Sequence, residues 1–172
     1  MHIVMETKLE HVLTHSHKAE MISYMNSHPE FYDEAIDLAV ADKQPYSWRA
    51  AWLLWSCIDK NDPRVKNHIQ RILDNIRTKS DGHQRELIKI LLEMHLDEEQ
   101  EGYLYDLCVS LWKQTEKIPS VRFTAFKCIQ KIARKYPDLT NELVLLTQEK
   151  FMDSLSPGVR RSILKMIKKH PN

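Results

Sequence analysis

The fold class of this chain is decided by the stretch PSVRFTAFKCIQKIA, residues 119–133. A proline opens the stretch, and a cationic residue, Arg122, follows three positions later. Ala125, Ile129 and Ile132 then recur at the three- and four-residue spacing of one helix face. Lys127 and Lys131 lie on the opposite side of such a helix. The stretch therefore predicts an amphipathic helix that buries one face.

Similar apolar periodicity extends along the whole chain, and no stretch shows sustained alternation of period two. The seven prolines all fall between the periodic stretches, where they would separate helices. The sequence thus predicts an all-α protein. Its helices are expected near residues 5–14, 17–26, 30–42, 47–59, 63–78, 83–96, 100–115, 120–135, 138–153 and 158–169.

A cationic residue opens every second predicted helix, at spacings of 31, 36, 37 and 38 residues. These residues are Lys18, Arg49, Arg85, Arg122 and Arg160. The residues three and six positions later share one helix face and are apolar in all five copies. They are Met21, Trp52, Ile88, Ala125 and Ile163, followed by Tyr24, Trp55, Leu91, Cys128 and Met166. This recurrence predicts stacked helical pairs, because a single pair cannot bury both of its apolar faces.

Residues 119–133 and the later stretch SPGVRRSILKMI, residues 156–167, resemble the second helix of a HEAT repeat. The resemblance implies an α-α superhelix, a short solenoid of antiparallel helix pairs with a right-handed stack. It implies one repeat domain over 1–172, with N-terminal capping helices in 1–28. The repeats are expected near 30–60, 63–97, 99–136 and 138–170. Repeats of this class imply a non-enzymatic scaffold that binds a protein partner on its second-helix face.

Composition excludes several other classes. With 172 residues and 42% hydrophobic residues the chain can bury a core, and a net charge of +1 argues against disorder. Three glycines are too few for the turns and phosphate loops of dinucleotide folds. No apolar run approaches the ~20 residues of a membrane span. We find no GxSxG, GxxxxGK[ST], HExxH or GxGxxG motif, so we predict no enzyme activity and no cofactor.

The three cysteines form no CxxC pair, which favours neither a disulfide framework nor a zinc ribbon. We expect small buried thiols in a reduced, cytoplasmic setting.

The near-neutral net charge hides two base-rich segments. Residues 113–135 hold seven bases and one acid, and residues 158–172 hold five bases and no acid. Such segments are either solvated helix faces or one basic binding surface. On the second interpretation, the partner-contacting residues would be Arg122, Lys127, Lys131, Arg134, Arg160, Arg161 and Lys165. A protein with an acidic or amphipathic segment would suit them, and nucleic acid is the alternative partner.

The Arg residues that open the second helices carry a competing structural interpretation. Such an Arg resembles the ladder residue of HEAT-like stacks. A ladder residue makes hydrogen bonds to the loop between the helices of its own repeat or of the next one. The sequence favours this structural role, and a functional stripe of Arg49, Arg85, Arg122 and Arg160 facing an acidic ligand is the alternative.

Trp48, Trp52 and Trp55 fall on one helix face, where they would pack in the core or provide a stacking platform. The spacing of Trp55 and Asp59 also resembles alkylation-repair DNA glycosylases, which are built from HEAT-like repeats. Ser56 follows Trp55, however, so the typical Trp-Asp run of that family is absent. Glycosylase chemistry is a remote alternative.

His11 and His15 lie four residues apart on one predicted helix face, and His17 is close in sequence. A metal site there would need a third ligand, such as Glu10. We expect solvated histidines on a polar face and no metal site.

Overall fold

A computed structural model describes residues 5–169 of the chain. Every regular element in this range is helical, which confirms the all-α prediction. Seven α-helices precede residue 96: α1 (Lys8–His15), α2 (Lys18–Ser27), α3 (Tyr32–Val40), α4 (Tyr46–Cys57), α5 (Pro63–Lys66), α6 (Ile69–Asn75) and α7 (Asp81–Glu93). Five follow: α8 (Glu98–Lys113), α9 (Pro119–Ala133), α10 (Thr140–Leu146), α11 (Glu149–Met152) and α12 (Pro157–Lys168). Three 3-10 turns occupy Pro29–Phe31, Ile76–Thr78 and Pro137–Leu139.

The ends of the predicted capping segment and of the last predicted repeat, residues 1–4 and 170, lie outside the described range. We keep the four repeat limits as a proposal.

Local sequence signals set where the helices begin. At α1, the Thr7 hydroxyl accepts from the Glu10 amide, and the Glu10 carboxylate accepts from the Thr7 amide. Asp97 and Gln100 make the same reciprocal pair at α8. These capping boxes satisfy amides that have no partner within the helix. Helices α5, α9 and α12 begin with proline, whose missing amide costs nothing at the first position.

Two of the predicted helices are interrupted. The stretch 63–78 divides into α5, α6 and a 3-10 turn, and the stretch 138–153 divides into a 3-10 turn, α10 and α11. At the second break the Thr147 hydroxyl donates to the Val144 carbonyl at 2.9 Å, a local bond that competes with helix propagation. The other predicted helices match the observed ones within a few residues.

The chain divides into two compact units, with the boundary between His95 and Leu96. In the first unit, α4 packs against α1, α2, α3 and α7. Its fully buried side chains include Leu9, Leu13, Ile36, Leu54, Leu73 and Ile88. In the second unit, α9 packs against α8, α10 and α12. Its fully buried side chains include Trp112, Val121, Phe126, Ile129 and Ile163.

Two of the three cysteines are core residues of the second unit. Cys108 on α8 and Cys128 on α9 are both fully buried, and their side chains contact each other. Burial raises the pKa of the Cys108 thiol well above its usual value, and the contact with Cys128 raises it further. Cys57, at the end of α4, is half-buried.

Over residues 5–169, no helix is both long and apolar enough to cross a membrane.

Candidate functional site

Arg122, the fourth residue of α9, is buried and its guanidinium is used internally. Its Nε donates to the Trp112 carbonyl at 3.0 Å, at the end of α8. Its two terminal nitrogens donate to the Ser154 hydroxyl at 2.7 Å and the Phe151 carbonyl at 2.5 Å. Burial lowers the pKa of this guanidinium. The ladder interpretation therefore describes Arg122, and we correct its assignment as a partner contact: only 1% of the residue is exposed.

Arg160 occupies the corresponding fourth position of α12. Its Nε donates to the Leu155 carbonyl at 3.1 Å, and a terminal nitrogen donates to the Asp153 carbonyl at 2.5 Å. Both acceptors lie in the loop that precedes α12. Arg160 thus holds its own loop, and we take it as a structural residue although its side chain is partly exposed.

The predicted ladder register is one residue wrong in α7. Its fourth residue is Gln84, whose buried side-chain amide donates to the Ile76 and Arg77 carbonyls at 3.1 and 3.2 Å. Arg85 instead pairs with the buried Glu86, with 2.8 Å between guanidinium and carboxylate. The sequence pattern selected Arg85 because it is cationic and lies next to Gln84. A side-chain amide can donate to these carbonyls as well as a guanidinium can. The fourth residue of α4, Arg49, donates to the Leu13 carbonyl at 2.8 Å.

The other predicted contact residues remain at the surface of the second unit. Along α9, Lys127 and Lys131 are exposed on one stripe that continues to Arg134 just beyond the end of the helix, while most of the other residues from Val121 to Ala133 are buried. The Lys127 ammonium lies 4.5 Å from the centre of the Phe123 ring on the same stripe. Arg161 and Lys165 are exposed on α12. We call these five cations (Lys127, Lys131, Arg134, Arg161 and Lys165) the basic surface.

Direct packing connects the two helices of the basic surface. The Gln130 amide of α9 donates to the Met166 carbonyl of α12 at 2.9 Å, and Ile163 is fully buried. Leu164, next to Lys165, is 47% exposed.

Comparison with known proteins gives one match, to the HEAT repeat domain family over residues 5–170. This chain belongs to the HEAT repeat family. No curated protein and no solved structure matches it significantly. HEAT repeat domains generally mediate protein–protein interaction, and the family indicates a scaffold without catalytic activity of its own.

The three tryptophans of α4, Trp48, Trp52 and Trp55, form a face contacted by cations rather than part of the core. Trp48 is 40% exposed, and Trp52 and Trp55 are half-buried. Ala50, Ala51, Leu53 and Leu54 fill the core side of α4 instead. The core-packing prediction is therefore wrong for Trp48 and only partly right for the other two. The Lys89 ammonium lies 3.4 Å from the centre of the Trp55 ring, where cation–π attraction holds it.

The geometry gives no support to glycosylase chemistry at Trp55 and Asp59. Helix α4 ends at Cys57, so Asp59 lies beyond the helix that carries Trp55. Lys89 also covers a face of the Trp55 ring that a stacked base would need.

The histidine pair of the HEAT repeat domain lies beside a carboxylate that the sequence did not predict. Glu10, the expected third ligand, is buried and ion-paired with Lys43. Glu6 lies beside His11 and His15 instead. The helix predicted over 5–14 would place Glu6 on the opposite side from His11 and His15, whereas in the structure Glu6 precedes α1 and is free of that periodicity.

Proposed function

We propose that this HEAT repeat domain is a non-enzymatic scaffold module that binds an acidic, amphipathic segment of a protein partner on the basic surface. One observation carries the proposal: between Val121 and Ala133 of α9, the exposed residues are Lys127 and Lys131. This part of a largely buried helix therefore presents mainly positive charge to the solvent.

Electrostatics and apolar contact would act together at this surface. Helices α9 and α12 pack directly, and the potentials of their exposed cations would add where the cations lie within about one Debye length, about 8 Å at physiological salt. A partner with several carboxylates would then associate faster at low salt. Leu164 would supply an apolar contact for the hydrophobic side of such a segment.

Reversal of two charges tests this proposal. Lys127→Glu combined with Lys165→Glu alters both helices of the basic surface without touching a buried residue. Lys60→Glu combined with Lys66→Glu is the matched control, since both lysines are exposed in the first unit. The measurement is pull-down from native extract at two salt concentrations, with circular dichroism to verify folding.

We expect proteins that bind the wild type and the control at low salt to be lost from the Lys127/Lys165 variant. An unchanged set of proteins would contradict the proposal and leave the basic surface a solvated face. Titration with a synthetic DNA duplex tests the alternative partner. Duplex binding that falls steeply with salt, and is lost in the same variant, would replace the protein partner by nucleic acid.

A further inference from the structure

Three side chains with metal-ligating atoms come together at the N-terminal end of the first unit. Glu6, His11 and His15 each offer one ligand atom, and these atoms all lie within 4.8 Å of one another. The His11 and His15 rings stack on successive turns of α1, with centroids 4.0 Å apart and planes 15° from parallel. Two histidines and a carboxylate are a common ligand set for zinc.

Hydrogen bonds already orient the histidine of the second turn. The Nδ1 of His15 lies 3.1 Å from the His11 carbonyl, and it donates its proton there. This bond leaves the lone pair on Nε2, the atom free to bind a metal. A bond from the other ring nitrogen to a backbone carbonyl is the usual support of a metal-ligating histidine.

The carboxylate of Glu6 is held in the same way. Its Oε1 accepts from the Tyr46 hydroxyl at 3.0 Å and from the Thr14 hydroxyl at 3.1 Å. The other carboxylate oxygen, Oε2, faces the His11 ring.

One distance within the cluster matches the spacing of ligands around a tetrahedral ion. Bonds of 2.0–2.2 Å from zinc to nitrogen and oxygen place neighbouring ligand atoms about 3.4 Å apart. The Glu6 Oε2 and His11 Nδ1 are separated by 3.4 Å. The nitrogen lone pairs lie in the ring planes, so the stacked His15 ring would turn out of the stack to bind the same ion as His11. Both histidines are exposed, which leaves room for this turn.

We propose that Glu6, His11 and His15 form a zinc site, with water in the fourth position and Tyr46 as the positioning residue of Glu6. The ion would join the segment before α1 to the helix itself. Through Glu6 and Tyr46 it would also tie that segment to α4. Zinc would thus stabilise the N-terminal end of the first unit, because a ligand that binds only the folded state raises its stability.

Zinc titration of the full chain, purified without a histidine tag, tests the site. By isothermal titration calorimetry we expect one zinc ion per chain and a higher melting temperature in the presence of zinc. His15→Ala should weaken binding by at least about 100-fold and abolish that rise in melting temperature. Tyr46→Phe, which keeps all three ligands, should weaken binding by about 10-fold.

His95→Ala is the control, since His95 is an exposed histidine outside the cluster. Failure of the wild type to bind zinc would overturn the proposal. Equal binding by the wild type and the His15→Ala variant would overturn it as well. Unchanged affinity in Tyr46→Phe would overturn the role given to Tyr46.

Discussion

Arg122 shows how far sequence reasoning reaches at the scale of one residue. Its place at the start of a second helix was predictable from the repeat, and the resemblance favoured the ladder role, but its individual bonds were not predictable. A long cationic side chain can point to solvent or turn inward, and only the packing of Trp112 and Phe151 around it decides. In the structure it turns inward and donates to two carbonyls and a hydroxyl.

We predict that Arg122→Ala lowers the free energy of unfolding by about 3 kcal/mol. Loss of the guanidinium leaves buried carbonyls without donors and opens a cavity beside Trp112. Chemical denaturation measures the change, with Arg134→Ala as an exposed control expected to stay within about 0.5 kcal/mol of wild type. A loss below about 1 kcal/mol in Arg122→Ala would contradict the ladder role.

Asp62 should give the stability of this protein a measurable acid dependence. Only 1% of the residue is exposed, and the bonds from Arg64 at 2.6 and 2.9 Å lower the pKa of its carboxyl to about 2. Because the folded pKa lies below the unfolded value of about 3.9, the stabilisation is present above pH 4 and disappears as the pH falls toward 2.

We therefore expect Asp62→Asn to be less stable than wild type by about 2 kcal/mol at neutral pH. The difference should shrink between pH 4 and pH 2, as followed by denaturation at a series of pH values. A difference that stays constant over this range would show that Asp62 contributes no charge-dependent stability.

At the scale of helices, the apolar positions of the repeat were predicted no more reliably than its cations, since Trp52, Trp55 and Met166 are only half-buried. Ile88 and Ile163, both three residues after a predicted opening cation, are fully buried. The prediction that a cation opens each second helix was wrong in α7, where Gln84 makes the ladder bonds. Several donor types can serve a carbonyl.

Helix α12 offers a matched test of the repeat register. We predict that Ile163→Ala costs about 2–5 kcal/mol, as truncation of a buried isoleucine does. The adjacent Leu164→Ala removes a half-exposed side chain and should cost about 0.5 kcal/mol or less. Denaturation of the two variants side by side measures the contrast, and equal losses would mean that the face assignment is wrong.

Breaks within helices were not predictable in the same way. Apolar residues continue at helical spacing through 63–78, with Val65, Ile69, Ile72 and Ile76 all buried. The chain nevertheless leaves the α-helix between Lys66 and Ile69. Apolar periodicity indicates which side of the chain faces the core. A short turn between two helices can keep the same side facing the core.

For the whole molecule, the division at His95 has a direct consequence for folding. Helix α4 packs against α1, α2, α3 and α7, all of which lie before the boundary. We predict that a chain of residues 1–95 keeps its helical content and unfolds cooperatively, because a unit with its own core can fold alone. Circular dichroism during urea denaturation measures both properties, and a chain without helical signal would contradict the prediction.

The two candidate sites differ in how much of each could be predicted from the sequence, and the difference comes from the packing of the whole molecule. The exposed cations of the basic surface follow from helical periodicity and charge counting. The zinc cluster depends on Glu6, which precedes α1, and on Tyr46, forty residues further along the chain. Contacts between distant residues depend on how the helices pack, and a single sequence carries little signal of that packing.

The burial of Cys108 and Cys128 makes these thiols reporters of motion in the second unit. A thiol-reactive dye can modify them only when α8 and α9 separate, because both side chains are enclosed between these helices. The rate of their modification in native buffer would then measure how often this core opens. Cys57, half-buried in the first unit, would react on a separate and faster time course.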